Sequence, residues 1–199
     1  MGQDDEGVIG RRGSQPKGIA RRQEILDRAI EVFRERGAHG TSLRKIAEAI
    51  GVSHAALLHY FDSREQLLVA VYKHAEDSRV DSPDLRPGID TMIEAAIRNV
   101  EVPGLVTLYS TLLAASLETD SGVGREFFTA RFTGLRATMT ESLQRQQAEG
   151  LVRDDVSAEH LASLLIAASD GLQIQWLLDP AVGLESTLRT LGALLRPPA

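Results

Sequence analysis

The spacing of small and apolar residues over positions 41–61 most constrains what this chain can fold into. Ala47 is followed four positions later by Gly51, and Leu57 and Phe61 stand four apart beyond it. Two helices that cross closely need a small residue at the crossing, and the sharp turn between them needs a residue that adopts positive φ easily. The spacing therefore predicts a helix-turn-helix. The competing interpretation is a plain helical hairpin in which Gly51 only ends a helix.

Leu57 and Phe61 are expected to pack the second helix of this motif against the core, and this determines which of its faces is exposed to solvent. Val52 fills the corner of the turn, and Ser53 is placed to cap the helix, whose N-terminus could hold a phosphate. The small side chains near its start would let the backbone approach DNA. The residues left to project outward are His54, Ala55, Leu58, His59 and Tyr60.

Helical periodicity, with apolar residues three and four apart, continues from Ile19 to the C-terminus without an alternating strand pattern. Gly37 and Gly40 should close the first helix, Thr41 or Ser42 should cap the second, and Ser63 to Gln66 reads as a capping box. Pro83, Pro87 and Gly88 break helical structure, so residues 81–88 are predicted to be a junction. We expect a first helix from about Ile19, a second that buries Leu43 to Ile50 and ends at Gly51, a third at 54–60 and a longer one that buries Leu67 to Ala75. Further helices are expected at roughly 89–101, 103–118, 122–149, 157–178 and 184–195.

The predicted fold class is all-α, with an N-terminal three-helix helix-turn-helix DNA-binding domain and a C-terminal helical bundle for dimerisation and ligand binding. We divide the chain into a disordered basic arm at 1–18, the DNA-binding domain at 19–66 and the helical body at 67–199. The arm is interpreted equally well as a solvated tail or as a segment that contacts phosphates.

Charge is distributed unevenly, although the net charge of −6 alone argues against a nucleic-acid partner. Residues 1–75 carry twelve Lys and Arg against ten Asp and Glu, a balance of +2, whereas residues 76–199 carry ten against eighteen, a balance of −8. Five of the basic residues lie between Gly7 and Glu24 with no acid among them. This asymmetry indicates that the N-terminal end contacts an anion.

Several protein classes are disfavoured by composition. The absence of cysteine excludes disulfides, thiolate metal sites and cysteine nucleophiles. The apolar stretches 105–117 and 161–168 are too short for the roughly 20 residues of a spanning helix, and the N-terminus has no signal-peptide pattern. We therefore expect a cytoplasmic protein without a membrane partner. No cofactor motif, carboxylate pair or serine with a nearby base suggests an enzyme.

Residues 20–68 resemble the DNA-binding region of the TetR family of transcriptional regulators. The resemblance lies in Phe33 to Gly37, Thr41 to Ala47, Gly51 to Ser53, Leu57 to Phe61 and Ser63 to Leu68. It implies a homodimer whose recognition helices enter successive major grooves of a near-palindromic operator. A weaker likeness extends to the segment from Asp170 to Leu178.

The resemblance also implies roles for individual residues. Arg44 stands where relatives read a base, and arginine paired with guanine is the commonest specific contact. Two departures stand out: Leu58 replaces a tyrosine that often contacts phosphate, and His54-Ala55 replaces Gly or Lys. The operator sequence therefore does not carry over. The expected DNA-binding residues are Thr41, Ser42, Arg44, Lys45, Ser53, His54, Ala55, Leu58, His59, Tyr60 and Arg64, of which Lys45, Tyr60 and Arg64 would hold phosphates.

A metal site on the recognition helix is a weak hypothesis. His54 and His59 are five residues apart and so point about 140° apart around a helix, too far to chelate one ion. Protonation of either histidine would add positive charge beside phosphate and could make DNA affinity depend on pH. We expect no metal and no cofactor.

The body is expected to form a dimer, because the helix over 161–178 is apolar on nearly all sides and needs cover on two faces. A large monomeric core is the alternative. Two helices from each subunit would form a four-helix interface around small residues. The expected interface residues are Leu164, Ala168, Gly171, Leu188, Leu191 and Leu195.

A ligand pocket is expected in the body, because binding sites are mostly apolar and aromatic with a few polar groups. The same residues could instead be ordinary core. Tyr109, Gln173 and Trp176 are favoured, since each places a polar tip inside an apolar segment. The expected ligand-binding residues are Met92, Tyr109, Phe128, Phe132, Met139, Gln173 and Trp176.

The sequence thus predicts a repressor that occupies an operator as a homodimer and is released by a small apolar or amphipathic effector. The alternative is the same DNA-binding dimer acting as an activator or architectural factor without a small-molecule effector. The remaining alternative, outside the class of DNA-binding proteins, is an enzyme built on a helical scaffold.

Overall fold

The structure, a computed structural model, describes residues 16–36, 43–77, 88–102, 104–118 and 122–197. These described residues form nine α-helices and no strand, which confirms the all-α prediction. The helices are α1 (Pro16–Arg36), α2 (Leu43–Ala49), α3 (His54–Tyr60), α4 (Arg64–Asp77), α5 (Ile89–Glu101), α6 (Leu105–Leu117), α7 (Val123–Ala148), α8 (Ala158–Leu178) and α9 (Leu184–Leu194).

The observed helix ends lie close to the predicted ones, and the clearest difference is at the start of α1. α1 begins at Pro16, so the last residues of the arm expected to be disordered are helical. Proline is favoured in the first turn of a helix, where its missing N–H is not needed. Residues 1–15 of that arm, and Gly37, Gly40, Thr41 and Ser42 with their expected capping roles, lie outside the described residues.

The capping box before α4 forms with one change of partner. The Ser63 hydroxyl accepts from the Gln66 N–H at 3.0 Å, as expected. The Gln66 side-chain oxygen accepts from the N–H of Asp62 at 2.6 Å, not from that of Ser63. The first bond satisfies a backbone donor that the first turn of a helix leaves unpaired, and the second satisfies the donor of the residue before the cap.

The first hydrophobic core joins the N-terminal helices to the body. Ile25, Leu26 and Ala29 of α1 pack with Ile46 of α2 and Leu57 of α3. The same cluster continues through α4 and reaches residues of α6 and α7. α4 therefore packs against both the N-terminal helices and the body.

The second hydrophobic core lies among α5, α7, α8 and α9, and it corrects part of the expected interface. Leu188 is 1% exposed and Leu195 is nearly as buried, both inside this cluster. A side chain that is already covered by its own subunit has no surface to offer a second copy. Leu188 and Leu195 therefore stabilise the protomer, and Leu191 and Ala168 pack at the edge of the same core.

α8 is distinguished by its length and its apolar composition. Its 21 residues could cross a membrane by length and composition alone, and α5 and α6 would do so only if taken together across a 101° bend. The shorter stretches considered in the sequence did not reveal this. In the fold α8 packs along α7 and contributes Leu161 and Leu165 to the second core.

Candidate nucleic-acid interface and ligand pocket

The turn between α2 and α3 has the geometry that its spacing predicted. Gly51 has φ of 72°, a left-handed conformation in which a Cβ would be strained. The N–H of Val52 donates to the carbonyl of Ala47 at 2.9 Å and closes the turn. Arg28 of α1 donates to the carbonyl of Ile50 at 3.1 Å, which satisfies an acceptor at the end of α2.

α3 is fixed by its cap and by its inward face. The Ser53 hydroxyl accepts from the N–H of Ala56 at 3.0 Å, so the predicted N-cap is present. Leu57 and Phe61 are both 0% exposed. The guanidinium of Arg22 lies 4.9 Å from the centre of the Phe61 ring and covers it from the α1 side.

The opposite face of α3 is open to solvent, together with the start of α2. Tyr60 differs from the other expected DNA-binding residues, since it is half-buried against the first core and its ring meets that of His59 edge to face at 5.0 Å. Arg64 is also half-buried. The exposed members of the expected set are Arg44, Lys45, Ser53, His54, Ala55, Leu58 and His59.

A partly open cavity of about 290 Å³ lies in the body between α4, α5, α7 and α8. This volume is at the small end of the range for ligand sites. Of the expected ligand-binding residues, Met92 and Gln173 line it, and Tyr109 lines a smaller cavity that shares Asn99, Arg131, Asp170 and Gln173 with it. Its other walls are Glu76, Ala95, Ala96, Arg98, Leu135, Ile166 and Ser169.

Four of the expected ligand-binding residues line neither of these two cavities. Phe128 is buried in the first core and Phe132 packs against it. Met139 is buried in the second core, and Trp176 packs against that core beside a separate surface groove next to α9. Their positions agree with the alternative that they are ordinary core, and do not support the ligand role expected for them.

A chain of polar contacts crosses the cavity. Glu76 of α4 receives a hydrogen bond from Arg131 of α7 at 2.7 Å and from the hydroxyl of Tyr72 at 3.2 Å. The Arg131 guanidinium lies 5.5 Å from the centre of the Tyr72 ring and 5.9 Å from that of Tyr109. Tyr109 of α6 donates its hydroxyl to Asp170 of α8 at 2.9 Å. Four helices are therefore tied together at one site.

Burial dominates the electrostatics of this site. Burial raises the pKa of Asp170, and the hydrogen bond from Tyr109 and the charge of Arg131 offset that effect only in part. Burial also raises the pKa of the Tyr109 phenol, and the Asp170 charge raises it further. The Nε of Arg131 is buried without a hydrogen-bond partner.

Glu76, Arg131 and Asp170 line the cavity but were not predicted as pocket residues. A signal existed for two of them, since Arg131 lies between Phe128 and Phe132 and Asp170 interrupts the apolar run of α8. A charged residue on an apolar face is costly unless it is paired or used. The partner of each could not be read, because Glu76 and Arg131 are far apart in the sequence.

α8 also carries an exposed apolar stripe on the side away from the cavity. Its members recur at spacings of three and four, and Leu164 is 58% and Ile174 is 43% exposed. A Cβ added to Gly171 would meet no atom within 4 Å, so the surface there is open. The stripe consists of Leu164, Ala167, Gly171, Ile174 and Leu178.

No group of three or more His, Asp or Glu side chains within the described residues is arranged to hold a metal ion.

Two family models match the chain. The model described as bacterial regulatory proteins, tetR family, matches residues 25–71, and the model described as BetI-type transcriptional repressor, C-terminal, matches residues 88–196. The first of these ranges contains α2, α3 and the turn between them, and the second contains α5 to α9. The two matches therefore cover both the exposed face of α3 and most of the walls of the cavity.

Named proteins resemble the chain over most of its length. The HTH-type transcriptional repressor Rv1474c of Mycobacterium tuberculosis is 31% identical over 154 residues, which is 77% of this chain and 80% of that protein. A TetR-family regulator from Rhodococcus sp. has a TM-score of 0.71 at 20% identity, covering 88% of this chain and 98% of that one. A transcriptional regulator from Saccharomonospora viridis, solved in complex with choline, has a TM-score of 0.69 at 22% identity, covering 88% and 95%. The two structural likenesses, at such low identity, show the fold alone.

Proposed function

The chain belongs to the TetR family of DNA-binding transcriptional regulators, and on that premise we propose that it is a ligand-relieved repressor acting as a homodimer on a near-palindromic operator. The observation that supports the DNA-binding part is that α3 has one buried face and one face exposed to solvent. Leu57 and Phe61 are completely buried, whereas His54, Ala55 and His59 face solvent on the same short helix. A helix anchored in this way can enter a major groove without disturbing the core.

Arg44 is proposed to read a base, and its replacement tests the DNA-binding function. Arg44 is exposed at the start of α2, so Arg44→Ala should leave folding almost unchanged. We expect the variant to lose about 1–3 kcal/mol of binding free energy on the operator and to relax specificity at one base pair. The measurement is fluorescence anisotropy with DNA from the protein's own upstream intergenic region and with random DNA.

Lys45→Ala is the matched control, because Lys45 is the exposed neighbour proposed to contact phosphate. It should weaken binding about equally on all sequences and reduce the slope of affinity against salt by about one. Equal loss on all sequences for Arg44→Ala would make Arg44 a phosphate contact. No salt-dependent preference of the unmodified protein for its upstream DNA would refute the repressor proposal.

The homodimer part of the proposal is supported by the exposed stripe on α8. An apolar, Gly-containing stripe with spacings of three and four is suited to close packing against a second helix. Leu194, exposed on α9, extends the apolar surface, and Leu191 is half-buried beside it. We therefore propose an interface of α8 and α9 from each subunit, with Leu178 and Leu194 replacing the buried Leu188 and Leu195.

Effector relief is supported by the position of the cavity against α4. α4 is tied to α7 at both ends: Glu65 accepts from the N–H of Gly124 at 3.0 Å, and Glu76 pairs with Arg131 at 2.7 Å. Glu76 and Arg131 both line the cavity. A ligand that binds better to one position of α4 shifts the head toward that position and away from the other.

Glu76→Gln tests whether this tie couples the body to the head. The change keeps the side-chain shape but removes the charge that holds Arg131, so α4 should be held less firmly. A freer head loses more conformational freedom on binding, and we expect operator affinity without ligand to fall about 2- to 30-fold. Anisotropy with the same operator DNA measures the change.

Glu94→Gln is the matched control for that experiment. Glu94 forms an exposed ion pair with Arg98 at 3.6 Å on α5, and exposed pairs contribute little. It should leave operator affinity unchanged. If Glu76→Gln behaves in the same way as Glu94→Gln, the pair at Glu76 does not couple the cavity to DNA binding.

A second candidate is the same DNA-binding dimer acting without an effector as an activator or architectural factor. A cytoplasmic location and the absence of a membrane partner are part of both proposals. The cavity favours the ligand-relieved repressor, because the carboxylates of Glu76 and Asp170 line it. Placing carboxylates in a partly enclosed site costs free energy unless they are paired or bind a ligand.

A further inference from the structure

The cavity contains a carboxylate whose charge is not matched by a cation. Glu76 forms an ion pair with Arg131, and Arg98 at the rim pairs with Glu94. No Lys, Arg or His of the described residues lies within 4.0 Å of the Asp170 carboxylate. The three inner charges, on Glu76, Arg131 and Asp170, therefore sum to −1.

Asp170 also has hydrogen-bonding capacity to spare. The Tyr109 hydroxyl donates to its Oδ2 at 2.9 Å, and no hydrogen bond from a described residue reaches its Oδ1. Gln173, one turn further along α8, uses its amide N–H on the carbonyl of Ser169 at 3.2 Å. The Gln173 carbonyl oxygen is therefore available as a second acceptor on the same wall.

We propose that the effector is a small protonated amine, whose ammonium group donates an N–H to Asp170 and whose apolar part packs on Met92, Leu135 and Ile166. This inference rests on the proposed role of the cavity as the effector site. An ammonium group would supply a positive charge to compensate the Asp170 carboxylate and an N–H to donate a hydrogen bond to its Oδ1. The three apolar residues line the same cavity as Asp170.

Other ligand chemistries fit less well. An anion would meet two carboxylates, Glu76 and Asp170. Of the two described cations that line the cavity, Arg98 is paired with Glu94, and Arg131 is paired with Glu76 and faces the rings of Tyr72 and Tyr109, which leaves only its enclosed Nε as a free donor. A neutral ligand would remove water from Asp170 without replacing its hydrogen bonds, which is costly for a charged group. A quaternary ammonium would bring charge but no N–H for Oδ1 of Asp170.

The test uses three probes of one skeleton and nearly one size. Phenethylamine is a cation at pH 7, 2-phenylethanol is neutral and phenylacetate is an anion. Titration calorimetry on the full chain without DNA should show that the amine binds about 10- to 100-fold more tightly than the alcohol, with the anion weakest. Benzyltrimethylammonium, which lacks an N–H, should bind more weakly than phenethylamine. Equal or tighter binding of any of these three competitors, or no amine binding up to about 10 mM, overturns the proposal.

Asp170→Asn locates the effect at one residue. Asparagine keeps the size of the side chain and an acceptor for Tyr109, and the variant should fold because it removes a charge that burial disfavours. The 10- to 100-fold preference for amine over alcohol should disappear, while unchanged affinity for the alcohol shows that the cavity is intact. Asp154→Asn, the same change at an exposed position, should keep the preference. A preference that survives in Asp170→Asn refutes the assignment.

Operator release separates this inference from the proposed function. Phenethylamine is added to the complex with labelled operator, and anisotropy records release. Asp170-dependent binding without release would support the amine site and contradict effector relief. Release that Asp170→Asn leaves unchanged would support effector relief and contradict the amine site at Asp170.

Discussion

Replacing Leu57 with alanine is expected to lower the free energy of unfolding by about 2–5 kcal/mol. Leu57 is 0% exposed and packs among α1, α2 and α3 in the first core. The lost side chain removes apolar burial and leaves a cavity that the short, crossed helices cannot easily close. Urea unfolding followed by circular dichroism measures the change.

Leu58→Ala is the matched control, because it makes the same chemical change one residue further along α3. Leu58 is 42% exposed, so its replacement should change the free energy of unfolding by no more than about 0.5 kcal/mol. The two variants should also differ in function. Leu58 cannot donate a hydrogen bond to phosphate, and we propose that its exposed apolar side chain contacts a thymine methyl group instead. Leu58→Ala should therefore bind operator DNA less tightly while remaining folded. Equal losses of stability in the two variants would contradict the orientation of α3.

This orientation was predictable from sequence because a helix-turn-helix is governed by local geometry. The distances from Ala47 to Gly51 and from Leu57 to Phe61 are set by helix pitch, and the Ser53 cap depends only on its own first turn. The structure confirms α3 at His54–Tyr60, as its spacing predicted. Long-range partners were not needed for any of these inferences.

The body was less predictable because periodicity identifies a buried face but not what covers it. Phe128 and Met139 share one apolar stripe of α7, yet the first lies in one core and the second in the other. In α9, Leu188 lies on the apolar stripe expected to meet a second subunit, and it meets its own core instead. The pair of Tyr109 and Asp170 is separated by 61 residues, a distance that no local pattern spans.

Since periodicity does not show what covers the exposed stripe of α8, substitutions in this stripe are the most informative test of the proposed dimer. We expect the double variant Leu164→Glu with Ile174→Glu to be monomeric at micromolar concentration. Both side chains are largely exposed in the protomer, so the variant should fold, but a dimer would have to bury four carboxylates without partners. Light scattering measures the oligomeric state.

If the proposed dimer forms, its loss should affect DNA binding more than the loss of any single contact does. Two recognition helices on one operator bind with an effective concentration that raises avidity by about 10²- to 10⁴-fold, so the monomeric variant should lose at least about 100-fold in operator affinity. Leu117→Glu with Leu151→Glu, at exposed positions off the stripe, should remain dimeric and bind normally. If the α8 variant instead stays dimeric, the apolar stripe is not the interface and another surface joins the subunits. If the variant becomes monomeric but keeps full operator affinity, a single DNA-binding domain is sufficient to bind the operator.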